Sequence, residues 1–86
     1  MQKKINCKLL TYDAKIFDRE LDMIILPGSE GELGILPGHV PIMVSLKKGQ
    51  IKAYENNSIT VYDIAEGFAQ ITDDGCNIVG VLSKIN

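Results

Sequence analysis

Apolar and polar residues alternate along several short stretches of this 86-residue chain. In residues 5–9, Ile5, Cys7 and Leu9 share one face of an extended segment, and the same period of two returns in residues 50–54. Side chains of a β-strand point to opposite faces in turn, so this alternation predicts strands with one buried face. Residues 76–82 are apolar at almost every position, which predicts a central strand covered on both faces.

Turn-forming residues punctuate these stretches about every ten positions. The turn markers are Tyr12-Asp13-Ala14, Pro27-Gly28, Pro37-Gly38, Lys47-Lys48-Gly49, Asn56-Asn57, Glu66-Gly67 and Asp73-Asp74-Gly75. Asn tolerates positive φ, so Asn56-Asn57 predicts a two-residue hairpin loop that folds the strand at residues 59–64 back on its predecessor. No stretch long enough for a long helix carries the helical spacing of apolar residues without Gly or Pro. The pattern predicts an all-β sandwich or barrel that forms one domain over residues 1–86.

Composition and charge exclude several classes of function. Apolar residues make up 45% of the chain. Nine Lys and Arg against eleven Asp and Glu give a net charge of −2, and this slightly acidic balance argues against nucleic-acid binding. The start of the chain has no apolar segment of the kind a secretory signal needs, and the uncharged run Leu33–Leu46 is too short and Pro-containing to span a membrane. We expect a cytosolic protein without an anchor of its own.

The cysteines and the single histidine do not suggest a metal site. Cys7 and Cys76 lie in apolar stretches, which predicts two buried free thiols rather than a disulfide. Together with His39 they fall short of the four ligands of a structural zinc site. We therefore expect neither a metal nor a cofactor.

Catalytic patterns are also missing from the sequence. His39 lies between Pro and Gly residues in a rigid turn, the serines show no nucleophile elbow, and Glu30 and Glu32 lie on a predicted open loop. The glycines of that loop do not end in Gly-Lys-Ser/Thr, so it is not a phosphate cradle. The sequence predicts no active site.

Residues 27–46 combine all three prolines with a charge-free apolar run from Leu33 to Leu46. Two interpretations stay open: these side chains fill one end of the core, or some remain exposed as a docking patch. An alternative function, a small-ligand-binding or regulatory β-domain, would need convergent polar groups, and this run offers almost none beyond His39 and Ser45.

The segment Gly28–Pro41 reads Gly-Ser-Glu-Gly-Glu-Leu-Gly-Ile-Leu-Pro-Gly-His-Val-Pro, followed by Lys47-Lys48-Gly49. It resembles the signature loop of the epsilon-chain family of bacterial F-type ATP synthases, called delta in mitochondria. Phe17 and residues 64–68 fit the same family, although Ala65-Glu66 stands where Ser-Gly is more usual.

The resemblance implies a β-sandwich of about ten strands at the foot of the central stalk. In this family the domain binds the gamma subunit and rests on the ring of c subunits, so the implied function is that of a non-catalytic rotor subunit coupling rotation to ATP synthesis. It implies membrane association only through the complex, at the cytoplasmic face of a bacterial membrane, with no small-molecule substrate. Nothing in the chain corresponds to the family's C-terminal helical hairpin, so we expect no ATP binding.

The resemblance also implies two sets of contact residues. The expected c-ring contacts come from the glycine-rich loop and the following apolar segment, namely Gly31, Glu32, Val40, Pro41, Ile42, Met43, Val44 and Ser45. The expected gamma contacts are Thr11 and His39.

Overall fold

The computed structural model describes residues 3–83, which form eight β-strands and no helix. The strands are β1 (Ile5–Leu10), β2 (Lys15–Leu21), β3 (Met23–Gly28), β4 (Gly31–Ile35), β5 (Ile42–Leu46), β6 (Gly49–Glu55), β7 (Ser58–Ile71) and β8 (Gly75–Leu82). Among residues 3–83 no helix is long and apolar enough to cross a membrane. The predicted domain limits of 1 and 86 lie outside the described residues.

The strands form two layers of one continuous hydrogen-bonded sheet. The first layer runs in the order β2, β1, β8, the C-terminal half of β7, and β5. The second contains β4, β3, β6 and the N-terminal half of β7. Neighbouring strands are antiparallel except β1 and β8, which are parallel. The all-β sandwich predicted from the sequence is confirmed.

The described residues form eight strands and not about ten, and strand β7 accounts for one strand of that difference. The predicted turn at Glu66-Gly67 is wrong, because β7 continues through it for 14 residues. Its residues 58–64 pair with β6, and residues 67–71 pair with β5. A register shift between Ile64 and Glu66 lets one strand bend from the second layer into the first, so no turn is needed.

The core lies between the layers and is filled by the inward side chains of both. In β1 the buried residues are Ile5, Cys7 and Leu9, as the alternation predicted. The other buried apolar residues are Phe17, Leu21, Ile24, Leu26, Ile35, Leu46, Ile51, Ala53, Ile64, Ala69, Ile71, Cys76 and Ile78. Cys7 and Cys76 are free thiols buried in this core, again as predicted.

The apolar run from Leu33 to Leu46 divides between the two predicted interpretations. Ile35 and Leu46 are buried in the core. Leu36, Val40 and Met43 are exposed to 55%, 66% and 68%. The run therefore fills one end of the core and also leaves apolar side chains on the surface.

Polar contacts fix the loop between β6 and β7 against the β2–β3 junction. Asn56 and Asn57 have φ values of 48° and 70°, which confirms the predicted two-residue hairpin loop. The backbone N–H of Asn56 donates to the carboxylate of Asp22 at 2.9 Å, and the ammonium of Lys4 pairs with the same carboxylate at 2.6 Å. One carboxylate thus ties together the chain start, a strand junction and a hairpin tip.

A second set of contacts holds β2 over the other layer. The ring of Phe17 lies 5.0 Å from that of Tyr62 on β7. The guanidinium of Arg19 lies 5.2 Å from the Phe17 ring, donates to the Tyr62 hydroxyl at 3.2 Å and pairs with Glu55 at 3.4 Å. These contacts fasten the outermost strand of the first layer to β6 and β7.

The bend of β7 depends on a close backbone approach. Gly67 pairs with Gly80 of β8, and a Cβ added at Gly67 would lie 2.9 Å from the Gly80 Cα and would also strike the Val79 carbonyl oxygen. Only a residue without a side chain fits there unless the backbone moves.

We expect Gly67→Ala to destabilise the fold by about 1–3 kcal/mol, because β7 and β8 must separate to accept the methyl group. Urea unfolding followed by circular dichroism measures this change. Gly34→Ala is the matched control, since a Cβ there meets nothing closer than the Met23 sulfur at 3.8 Å. Equal unfolding midpoints for the two variants would contradict the close-approach argument.

The contacts of Asp22 give the fold a pH dependence. The hydrogen bond from Lys4 and that from the Asn56 N–H lower the pKa of Asp22 below its ordinary value of 3.8. The resulting stabilisation is fully present above that value and is lost as the pH falls through the lower folded-state pKa. We expect the stability difference between the wild type and Asp22→Asn to shrink between about pH 7 and about pH 3. A difference that stays constant in urea unfolding over that range would show that Asp22 does not contribute in this way.

Candidate protein-docking site

The outer face of the first layer carries large apolar side chains that no other described residue covers. Alternation along β7 and β8 turns Phe68, Val79 and Val81 away from the core, and they are 47%, 39% and 50% exposed. Phe68 is the register partner of Val79, which places the two side chains side by side. The sequence prediction that β8 is covered on both faces is therefore wrong for residues 3–83: β8 is central in the sheet, but only its inner face is covered by these residues.

The turn between β1 and β2 adds Tyr12, which is 96% exposed. Tyr12 lines one open groove together with Phe68, Val79 and Val81. We call these four residues the apolar patch. Monomeric proteins seldom leave contiguous apolar surface uncovered, so the patch indicates a docking site.

The rest of the same face is polar. Gln70 of β7, Asn77 of β8 and Lys8 of β1 are exposed and are register neighbours across the three strands. The first layer thus presents an apolar half near the β1–β2 turn and a polar half towards the opposite end of the strands.

The expected c-ring residues in the glycine-rich loop come together with those of β5. The turn between β3 and β4 is fixed to β5 by a hydrogen bond from the Ser29 N–H to the Ser45 carbonyl at 2.8 Å. Gly31, Glu32, Met43 and Ser45 line one shallow groove there. Gly31 has a φ of 134°, in a region that side chains disfavour, so the turn depends on a glycine.

Glu32 offers a negative charge at this groove. Its carboxylate lies 4.0 Å from the ammonium of Lys52, and its side chain is 61% exposed. An exposed pair of this length stabilises the fold little, so the carboxylate remains available to a partner.

The expected c-ring residues on the second segment do not all face outward. Ile42 and Val44 are half-buried and pack against the core. Met43 and Ser45 point the other way and are exposed, as are Val40 and Pro41 before the strand. Of this segment, the structure offers Val40, Pro41, Met43 and Ser45 to a partner.

The two expected gamma contacts lie at opposite ends of the first layer. Thr11 precedes Tyr12 in the β1–β2 turn and donates its backbone N–H to Ala14. His39 precedes β5 at the far end, where its Nδ1 hydrogen-bonds the Val40 carbonyl at 2.7 Å. With about 3.3 Å of rise per residue, the five residues of β5 alone separate these ends by more than 10 Å. The structure does not bring Thr11 and His39 together.

Sequence reasoning missed the apolar patch itself. The available signal was the run of apolar residues on both faces of residues 76–82, which was interpreted as full coverage. Nothing in the local pattern distinguishes a strand covered by the same chain from one that a partner covers.

The opposite layer has a smaller outward apolar pair, Ile59 and Val61 of β7, exposed to 56% and 46%. Within the described residues there is no buried polar or charged side chain and no cluster of three or more potential metal ligands.

Comparison with known proteins identifies the family. Residues 4–80 match the family described as ATP synthase, Delta/Epsilon chain, beta-sandwich domain. The chain belongs to this family. The resemblance inferred from residues 28–41 is confirmed.

Individual members of the family match most of the chain. The ATP synthase epsilon chain of Rickettsia bellii is 43% identical over 82 residues, covering 91% of this chain and 75% of the relative. That of Granulibacter bethesdensis is 39% identical over 74 residues, covering 84% of this chain and 54% of the relative. The chain therefore spans little more than half the length of the second relative.

Solved structures of the family share the fold. A chain of the Euglena gracilis mitochondrial ATP synthase, in a structure containing OSCP, F1 and the c ring, superposes with a TM-score of 0.85 at 27% identity over 91% of this chain and 51% of its own. A chain of the Tetrahymena thermophila central stalk and c ring superposes with a TM-score of 0.77 over 94% of this chain and 66% of its own, and at 18% identity it shows the fold alone.

Proposed function

We propose that this chain is the epsilon subunit of an F-type proton-translocating ATP synthase and serves in its rotor. In this role it has no active site of its own: it links the gamma subunit to the c ring and couples their rotation to ATP synthesis. The single observation that carries the proposal is the apolar patch of Tyr12, Phe68, Val79 and Val81, which lies uncovered on a member of this family.

The apolar patch is the part of the surface best suited to gamma. Aromatic residues contribute much of the binding energy at protein interfaces, and this site has Phe68 on the sheet and Tyr12 in the adjoining β1–β2 turn. Thr11 adjoins Tyr12, which supports its expected gamma contact. A gamma subunit that also reached His39 would have to lie along the whole length of the first layer.

The groove at the β3–β4 turn is suited to the c ring. It combines the exposed carboxylate of Glu32 with the outward side chains of Met43 and Ser45. A polar, negatively charged turn fits the polar loops of a membrane ring, where charge complementarity fixes orientation. Val40 and Pro41 lie at the other end of β5, so a c-ring contact that includes them runs along the strand, and Ile42 and Val44 support it from the core.

The sandwich is a body that can carry torque. Its two layers share β7 and enclose one apolar core, and tightly packed interiors deform little. Residues 1–86 act as a single domain in this proposal. Its relatives are chains of a membrane-associated complex, and the domain is held peripherally at the cytoplasmic face through its partners.

The proposal is tested by binding of the chain to the gamma-containing catalytic head from the same source. We expect Val79→Lys to weaken this binding about tenfold or more, because a charge would be buried in the apolar interface. Val61→Lys is the matched control: it places the same charge on an outward valine of the opposite layer and should bind as the wild type does. Melting curves verify that both variants fold. If both variants weaken binding equally, or if neither weakens it, the apolar patch is not part of the gamma interface.

The c-ring contact calls for a second measurement on the assembled rotor. We expect Glu32→Lys to release the gamma-bound chain from the c ring while gamma binding is retained, because it reverses the charge in the groove. Glu30→Lys makes the same change two residues away in the exposed turn and should release much less. Full c-ring attachment of the Glu32 variant would refute the assigned role of this carboxylate.

A further inference from the structure

The two cysteines face each other across the only parallel strand pair in residues 3–83. Cys7 of β1 and Cys76 of β8 are direct register partners. Both point into the core, with exposures of 0% and 1%. Their side chains therefore lie next to each other on the inner face of the β1–β8 pair.

The backbone geometry permits a covalent bond between them. Neighbouring strands lie about 4.8 Å apart, and the Cα atoms of disulfide-bonded cysteines are usually about 4.4–6.8 Å apart. The strand spacing therefore places the Cα atoms of register partners within the range found in disulfides.

The pair is also chemically asymmetric. The hydrogen bond with Cys76 and burial raise the pKa of the Cys7 thiol, whereas the same hydrogen bond lowers the pKa of Cys76. Cys76 therefore has the lower pKa of the two thiols, although its burial acts in the opposite direction. The thiolate is the form that reacts with oxidants.

We propose that Cys7 and Cys76 form a reversible modification site, a cross-strand disulfide made when the domain meets a peroxide. The Cys76 thiolate attacks one peroxide oxygen, the O–O bond breaks, and the departing oxygen leaves as water after taking up a proton. The sulfur of Cys7 then attacks the resulting sulfenic sulfur, expelling a second water with the thiol proton. The two thiols lose two electrons in total, and the peroxide gains them. This inference does not depend on the proposed rotor function.

The bond would join the first described strand to the last. A cross-link that closes a long loop removes much of the freedom of the unfolded chain, so it stabilises the fold. Because both sulfurs are buried, oxidation requires a transient opening of the sheet and proceeds slowly. The reduced pair is the resting state in a reducing compartment.

The test uses the purified chain treated with hydrogen peroxide, then unfolded and alkylated. We expect a monomer lighter than the reduced chain by about 2 Da, with neither cysteine alkylated. Trypsin should release a linked pair of peptides, residues 5–8 with residues 53–84, since Lys4, Lys8, Lys52 and Lys84 bound them. Dithiothreitol should separate the pair, and the oxidised protein should melt several degrees above the reduced one.

Other products would overturn the proposal. These are disulfide-linked dimers, two cysteines that remain open to alkylation, or oxygen added to one cysteine without a cross-link. Cys7→Ala provides the control: it cannot form the cross-link, so peroxide should give no mass loss of about 2 Da and no rise in melting temperature. A similar rise in the melting temperature of that variant would count against the cross-link. If the variant fails to fold, the peptide map of the oxidised wild type still shows whether Cys7 and Cys76 are linked.

Discussion

The bend in β7 holds the two layers of this domain together. A strand that hydrogen-bonds to β6 in one layer and to β5 and β8 in the other prevents the layers from sliding past each other. The bend requires the backbones of Gly67 and Gly80 to lie closer than any side chain allows. Immediately after it, β7 turns Phe68 outward and Ala69 inward. The constraint that joins the layers therefore also sets the position of the exposed aromatic residue.

The outer surface of the first layer reflects a compromise between solubility and association. Its polar half keeps Lys8, Gln70 and Asn77 in water, while its apolar half exposes Tyr12, Phe68, Val79 and Val81. Central strands carry this surface, so their backbone groups are already paired and only side chains are offered. A partner can then bury apolar area without adding a strand to an edge. The shape of the side-chain surface, and not unpaired backbone N–H and C=O groups, then defines such an interface.

The sequence was sufficient for the features that depend on local chemistry. Alternation identified the buried face of β1, and the tolerance of Asn for positive φ identified the loop at Asn56-Asn57. Glu66-Gly67 was misassigned because glycine serves equally in a turn and in a close approach between strands, and only β8 reveals which applies. The outward valines of β8 were misassigned for a related reason. Whether a face is covered depends on residues far away in the chain or on another protein.

The parallel pairing of β1 with β8 has a consequence for how the protein is made. The first layer cannot close until β8 exists, because β1 lies between β8 and β2 and has no other neighbour in the described residues. Folds dominated by contacts between distant parts of the chain form slowly, because the entropy cost of closing a loop comes before the favourable contacts that offset it. While the ribosome is still adding residues, β1 and its apolar face have only β2 to pair with. Until β8 has been made, the apolar face of β1 stays exposed, and exposed apolar surface of this kind favours aggregation.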